Sequence, residues 1–471
     1  MAAPHLSAEV FPAAPQPGQR WDSVLTGGVC VALAFAVLAM GAVQPEAELL
    51  LRSCSLALFL LWAVLQFVRG RLSIASSPIY IPALAFAGLV VAQMLFGLTA
   101  YRHDTLIELL NYVSYGLLAF ITLQSLRGSQ AAKALALAIS GFGLAVSVFA
   151  LLQYLASNGK VYWVVQIPTD AMPFGPYVNH NHYAGLIEML IPFPLVFALQ
   201  SPVSISKRFF FGLSAIIMGV SVVESGSRGG IIALACQVVL LFAIGRFTRI
   251  RRGGGIVLLV MLVAMAGLLA IMVDSAVASR ISALREPGRA DVAGWRMRLN
   301  RDSLSMVRAK PVLGWGLGTF ATVYPQFRSF YDDVPIHEAH NDYMQLLVET
   351  GVVGGMLTAW FLILVFREGW RNLERSQTIW ERGITTGAMV SVSGILIHSS
   401  SDFNLHIPAN AAVFFVMCAI AVAPITQRGS QPPNESRRSR TDRTSADLAE
   451  RESLEGVAEA PQRLRVVARR P

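Results

Sequence analysis

Charge is scarce in this sequence. Of its 471 residues only 14% are Asp, Glu, Lys or Arg, against about 25% in a soluble globular chain. A water-soluble domain of this size is excluded for want of polar surface. Alternating apolar and polar stretches are missing too, which excludes a membrane β-barrel. There are four cysteines, Cys30, Cys54, Cys236 and Cys418, each inside an apolar run and none in CxxC spacing. They read as packing residues rather than a disulfide framework or metal site. The first 20 residues hold no apolar core, so the first span is expected to act as an uncleaved anchor.

What is present is hydrophobic: 54% of the residues, with a mean hydropathy of +0.54. Runs near 20 residues recur, enough to cross a hydrocarbon layer of about 30 Å as helices. The expected fold is all-α, a polytopic membrane helix bundle. Twelve spans are read at roughly 24–43, 50–68, 78–98, 108–125, 133–155, 183–200, 208–224, 229–245, 254–273, 343–366, 383–399 and 410–426. The sixth is interrupted by Pro192 and Pro194. Segment 1–23 precedes the bundle, and 427–471, rich in Arg, Ser, Glu and Pro, reads as a disordered tail.

The net charge is +9. Its excess falls in alternate connections, such as Arg69 with Arg71, Arg246 to Arg252, and Arg367 to Arg382. That is a topology signal, not a nucleic-acid footprint, and it puts both termini in the cytoplasm. Residues 274–342 then form one long outer loop before the tenth span. Its arginines either pair with Glu286, Asp291 and Asp302 or bind an anionic substrate.

Polar residues collect at the outer connections. Six of the eight histidines lie there: His180, His182, His337, His340, His398 and His406. Arg228 stands nearly alone in the short turn Ser225-Gly226-Ser227-Arg228-Gly229-Gly230. It either snorkels at a helix end or makes bidentate bonds to phosphate beside exposed helix N–H groups. His340 shares a helical face with Tyr343 and Leu347 if that helix starts early. It is a general base or a hydrogen-bonded structural histidine. Neither His-Asn-His at 180–182 nor His337 with His340 has the spacing of a zinc site. Charges near mid-membrane, which a transporter would need, are not apparent.

These motifs together resemble the O-antigen ligase and polymerase family of bacterial surface-polysaccharide assembly. The resemblance is carried by Ser227-Arg228-Gly229-Gly230, by Pro311-Val312-Leu313-Gly314-Trp315-Gly316-Leu317-Gly318-Thr319-Phe320, by His340-Asn341-Asp342-Tyr343 running into Glu349-Thr350-Gly351, and by twelve spans with one long outer loop. It covers about 24–426. It implies an inner-membrane glycosyltransferase with a periplasmic site, without metal or cofactor. The donor would be an undecaprenyl-diphosphate-linked glycan, the acceptor a hydroxyl of lipid A-core or of another glycan, and the reaction inverting. It assigns His340 to activating the acceptor hydroxyl and Arg228 to the diphosphate. A second family arginine lies in the long loop; spacing selects Arg296, with Arg289 and Arg298 as rivals. Asn179, His182, Asn341, Asp342, Tyr343, Asp402 and His406 would line the same cavity as supporting or sugar-binding groups. Ligase and polymerase are the two readings within the family. A lipid-linked saccharide transporter is the alternative of another class.

Overall fold

The computed structural model describes residues 17–245 and 292–425, apart from 71, 169–170, 201–202 and 331–334, together with 263 and 267. The described residues are helical, with only two isolated β-bridges. The ninth expected span (but for 263 and 267), Arg289 and the tail 427–471 lie outside the described residues. A helix overlaps each of the other expected spans. They are α1 Pro17–Leu38, α2 Pro45–Val68, α3 Tyr80–Leu95, α4 Arg102–Ser125, α5 Gly128–Leu155, α6 His180–Leu190 with α7 Pro192–Leu199, α8 Ile205–Glu224, α9 Arg228–Ala243, α12 Asp342–Arg375, α13 Ile379–His398 and α14 Pro408–Val422. Between α9 and α12 lie α10 Val292–Ala309 and the single turn α11 Phe320–Val323. Among the described residues seven helices are long and apolar enough to cross a membrane, counting α6 and α7 as one. The protein is a multi-pass membrane helix bundle.

Burial sorts the helices into two shells. The α6–α7 rod, α13 and α14 are buried almost all round, as central helices should be. The outer helices keep apolar faces uncovered, as in Leu49, Leu56, Leu60, Val64 and Phe67 of α2. Their spacing makes one helical stripe, suited to lipid.

The proline break in the sixth span is milder than its sequence suggests. Ile191 stays helical (φ −61°, ψ −30°), its N–H bonding Ile187 O at 2.8 Å. Pro192 has no N–H to give the carbonyl of Glu188, four residues back. Gln237 on α9 donates to that carbonyl instead, at 2.7 Å.

Three expectations need correcting. The first helix ends at Leu38, not 43, because Met40, Gly41 and Ala42 turn the chain through positive φ. A Cβ on Gly41 would sit 2.8 Å from Tyr177. The long loop is not all loop, since α10 lies within it. Leu299, Ser303 and Met306 of α10 are buried against Phe320, Val323, Tyr324 and Val348 in a second, smaller core. There Asp302 accepts from Tyr324 Oη and Ser329 N rather than pairing with an arginine. Ionisable side chains also lie deeper than the rims: Glu188 is fully buried, about 12 Å along its helix from His180 at 1.5 Å per residue.

The glycine-rich segment before α12 is a splint for that helix. At Gly351 (φ 63°, ψ −167°) α12 breaks. The freed backbone finds partners in the segment: Val352 N to Pro311 O at 2.9 Å, Val353 N to Val312 O at 3.2 Å, Trp315 N to Val348 O and Gly316 N to Glu349 O at 2.9 Å. The Glu349 carboxylate, 2% exposed, accepts from Gly318 N at 2.9 Å and Phe320 N at 3.3 Å. The glycines therefore hold the protein's own carboxylate rather than a nucleotide. Only glycine fits at 351, since a Cβ there would meet Val312 O at 2.3 Å.

Candidate functional site

One end of the bundle gathers the polar connections. The turn after α13, residues 399–407, is its centre. Asp342, first residue of α12, donates its N–H to Ser399 O at 2.9 Å. Its carboxylate takes His406 Nδ1 at 2.8 Å and Leu405 N at 3.2 Å. Asn341 caps α12, accepting from Tyr343 and Met344 N at 3.1 Å, as a short polar side chain at that position does. Tyr343 donates to Leu396 O.

The cap moves His340 off the helix. It does not share a face with Tyr343 and Leu347, because α12 begins two residues later. His340 has φ 51°, a left-handed conformation costly for a non-glycine residue and common at functional sites. Its ring stands edge-on between Trp295 of α10, at 5.2 Å between centroids, and Phe403, at 4.7 Å. Nδ1 lies 4.0 Å from Asp402 Oδ1 and makes no hydrogen bond. Burial, with Arg296 and His182 adding, outweighs the pull of Asp402 and lowers the His340 pKa to about 4. The imidazole is neutral at pH 7.

Asp402, 2% exposed, serves two imidazoles, with His182 Nε2 3.7 Å from the same Oδ1. Burial pushes its carboxyl up, but His182, the charge of His398 and the Phe403 N–H outweigh it. The group is held well below the usual carboxylate range. Next to it, Ser401 O accepts from Arg296 Nη1 at 3.0 Å, leaving Nε of that guanidinium buried without a hydrogen-bond partner. Arg298, two residues on, is turned to the Phe330 ring at 5.1 Å.

The Arg228 turn meets the same centre from the other side. Ser227 caps α9 by accepting from Gly230 N at 3.2 Å, and Arg228 is exposed at the helix start. Next to it, a Cβ on Gly229 would lie 3.1 Å from Ser401 Oγ. His180 Nδ1 lies 2.7 Å from Ser225 O, tying α6 to this turn. Arg228, Arg296, His182, His340 and Asp402 thus all adjoin residues 398–403.

The other expected residues have structural partners. Asn179 caps α6, accepting from Asn181 N at 2.9 Å. His406 is half-buried beside carboxylates: burial alone would lower it, but Glu338 and Asp342 prevail and raise it to about 10. Reading the sequence missed Trp295, Phe403 and the buried pair Glu188–His398, whose Oε1 and Nδ1 are 3.1 Å apart. Only His398 carried a signal, as one of the clustered histidines.

Residues 213–359 match the family model of O-antigen ligase. No curated protein matches the chain. The matched segment runs from α8 into α12 and contains Arg228, Arg296, the glycine-rich splint and His340, but stops short of Asp402. Over that segment, about a third of its length, the chain is similar to the O-antigen ligase family.

Proposed function

We propose that this protein transfers a glycan from an undecaprenyl-diphosphate carrier to an acceptor hydroxyl, at the periplasmic face of the inner membrane. The observation that carries this is the meeting of a neutral, strained His340 with Asp402, Arg296 and the Arg228 turn around one loop. His340 takes the hydroxyl proton while the acceptor oxygen attacks the anomeric carbon. The bond from that carbon to the diphosphate oxygen breaks, and its electron pair leaves with the carrier. Attack opposite the leaving group inverts the centre.

Each residue has a distinct task. Asp402 holds the ring and favours the imidazolium as it forms, the role of a carboxylate behind a histidine base. The Arg228 and Arg296 guanidinium groups meet the charge that grows on the diphosphate. Arg296 is favoured over Arg298 because its side chain reaches Ser401. No metal is invoked, since fixed cations supply the same stabilisation. The acceptor is lipid A-core in a ligase, or the end of another glycan in a polymerase.

The test is transfer by purified protein, with and without EDTA. His340→Ala abolishes transfer at an unchanged melting temperature; retained transfer removes the base role. In the host, deletion that leaves carrier-linked glycan accumulated outside, unattached, fits a transferase, whereas accumulation inside fits a transporter. Lost attachment to lipid A-core identifies a ligase, and shortened chains a polymerase.

A further inference from the structure

Glu188 on α6 and His398 at the end of α13 are 0% and 1% exposed. His398 Nδ1 lies 3.1 Å from Glu188 Oε1, and Glu188 Oε2 has no hydrogen-bond partner. Burying a net charge here is costly. Two protonation states leave the pair neutral overall. Either a carboxylate faces an imidazolium, or a carboxylic acid donates to Nδ1 of a neutral ring. In the first, both ring nitrogens carry hydrogen. In the second, the ring's one hydrogen sits on Nε2. Both make Nε2 a donor; the remaining arrangement, a neutral ring giving Nδ1–H to the acid's carbonyl oxygen, would leave the acid O–H on Oε2 without an acceptor.

That donor faces the start of α9. A Cβ on Gly229 would stand 2.5 Å from His398 Nε2 and equally from Cδ2. Among the described residues none accepts a hydrogen bond from Nε2. Gly229 is the second residue of a 16-residue helix. The N–H groups of Arg228 and Gly229 have no acceptor within the helix, and the Ser227 cap is taken by Gly230. A buried ring N–H therefore meets the start of a helix that carries two backbone N–H groups, an approach possible only because residue 229 has no side chain, and the exposed Arg228 is its neighbour in the chain.

We propose that His398 is a ligand of the donor's diphosphate, giving its Nε2–H beside Arg228, with Glu188 as the residue that positions it. This rests on the transfer reaction proposed above. The hydrogen bond runs from a ring fixed by its own buried partner, so its direction is set before the substrate arrives.

The probe is inorganic pyrophosphate, titrated calorimetrically into the full-length protein in detergent, alongside donor and acceptor KM values. His398→Phe combined with Glu188→Gln leaves no unpaired carboxylate. It weakens pyrophosphate binding by roughly tenfold, the worth of one charge-assisted hydrogen bond, and raises the donor KM but not the acceptor KM. His398→Gln keeps an N–H near the Nε2 position and binds within about threefold of wild type on the same scale. Gly229→Ala sets a methyl where the ring edge now packs, so the His398 ring must shift from the helix start, and it weakens binding as the double variant does. Wild-type pyrophosphate affinity in a folded double variant overturns the proposal. If that variant does not fold, wild-type affinity in Gly229→Ala overturns it. Arg228→Ala separates the two readings: loss of binding there with none in the His398 variants refutes only the role of His398, while wild-type affinity in Arg228→Ala refutes the diphosphate site itself.

Discussion

Replacing Asp402 with asparagine removes one negative charge 4.0 Å from His340 Nδ1 and keeps the shape of the side chain. When His340 takes the acceptor's proton it becomes an imidazolium, and that carboxylate faces the new charge. Two unit charges 4 Å apart at an effective dielectric of 20 attract by about 4 kcal/mol. His340 is 26% exposed, so solvent screening trims this to about 3 kcal/mol. At 1.36 kcal/mol per decade of rate, that is roughly a hundredfold. The effect belongs to kcat, because the imidazole is neutral while substrates bind and charged only as the reaction proceeds. The assay is transfer from the lipid-linked donor in detergent, with initial rates over a range of donor and acceptor. A folded Asp402→Asn protein with kcat within about threefold of wild type, on that same scale, refutes the reasoning. So does a loss carried wholly by KM.

Arg228→Lys keeps the charge but loses the planar fork, and we expect it to lose most transfer activity because one ammonium cannot bridge two phosphate oxygens; near-normal rates in membranes with normal protein levels would count against diphosphate contact. His406 has a folded pKa raised to about 10, against about 6.5 for a free histidine. Its contribution to stability is therefore complete below pH about 6.5 and is lost as pH rises towards 10. Melting temperature in detergent should fall over that interval, and His406→Gln should be less stable at pH 6 and show a flatter profile. Gly351→Ala should lower melting temperature and yield, since its φ of 63° and the 2.3 Å approach to Val312 O leave no room for a methyl. A cost of about 1–3 kcal/mol for the backbone alone sets the scale, and an unchanged melt would rule out the splint.

Much of the bundle was legible because membrane helices announce themselves by continuous apolar runs. The α10 helix was hidden by its arginines. Its apolar stripe of Leu299 and Met306 is narrow, and hydropathy averages it away. Whether the helix would start early enough to carry His340 could not be read locally, because nothing nearby tells that Asn341 rather than an earlier residue takes the cap. The site itself depends on pairings across the chain. Glu188 meets His398 over 210 positions and Asp342 meets His406 over 64. No spacing rule reaches that far. The arginines and His340 were recoverable only through their motifs, while Trp295 and Phe403, which flank the imidazole, belong to no motif.

The splint at Gly351 also constrains how this protein can be recombined. Residues 311–316 complete the hydrogen bonding of a helix whose break lies some forty positions downstream. A chimaera that exchanged the loop with another protein and joined it at the edge of α12 would sever those bonds and strand polar backbone beside the Glu349 carboxylate. Workable crossover points lie before Pro311 and beyond Val353, so that loop and helix are inherited together. Insertions tolerated in an ordinary surface connection should fail between those limits, however polar the inserted sequence.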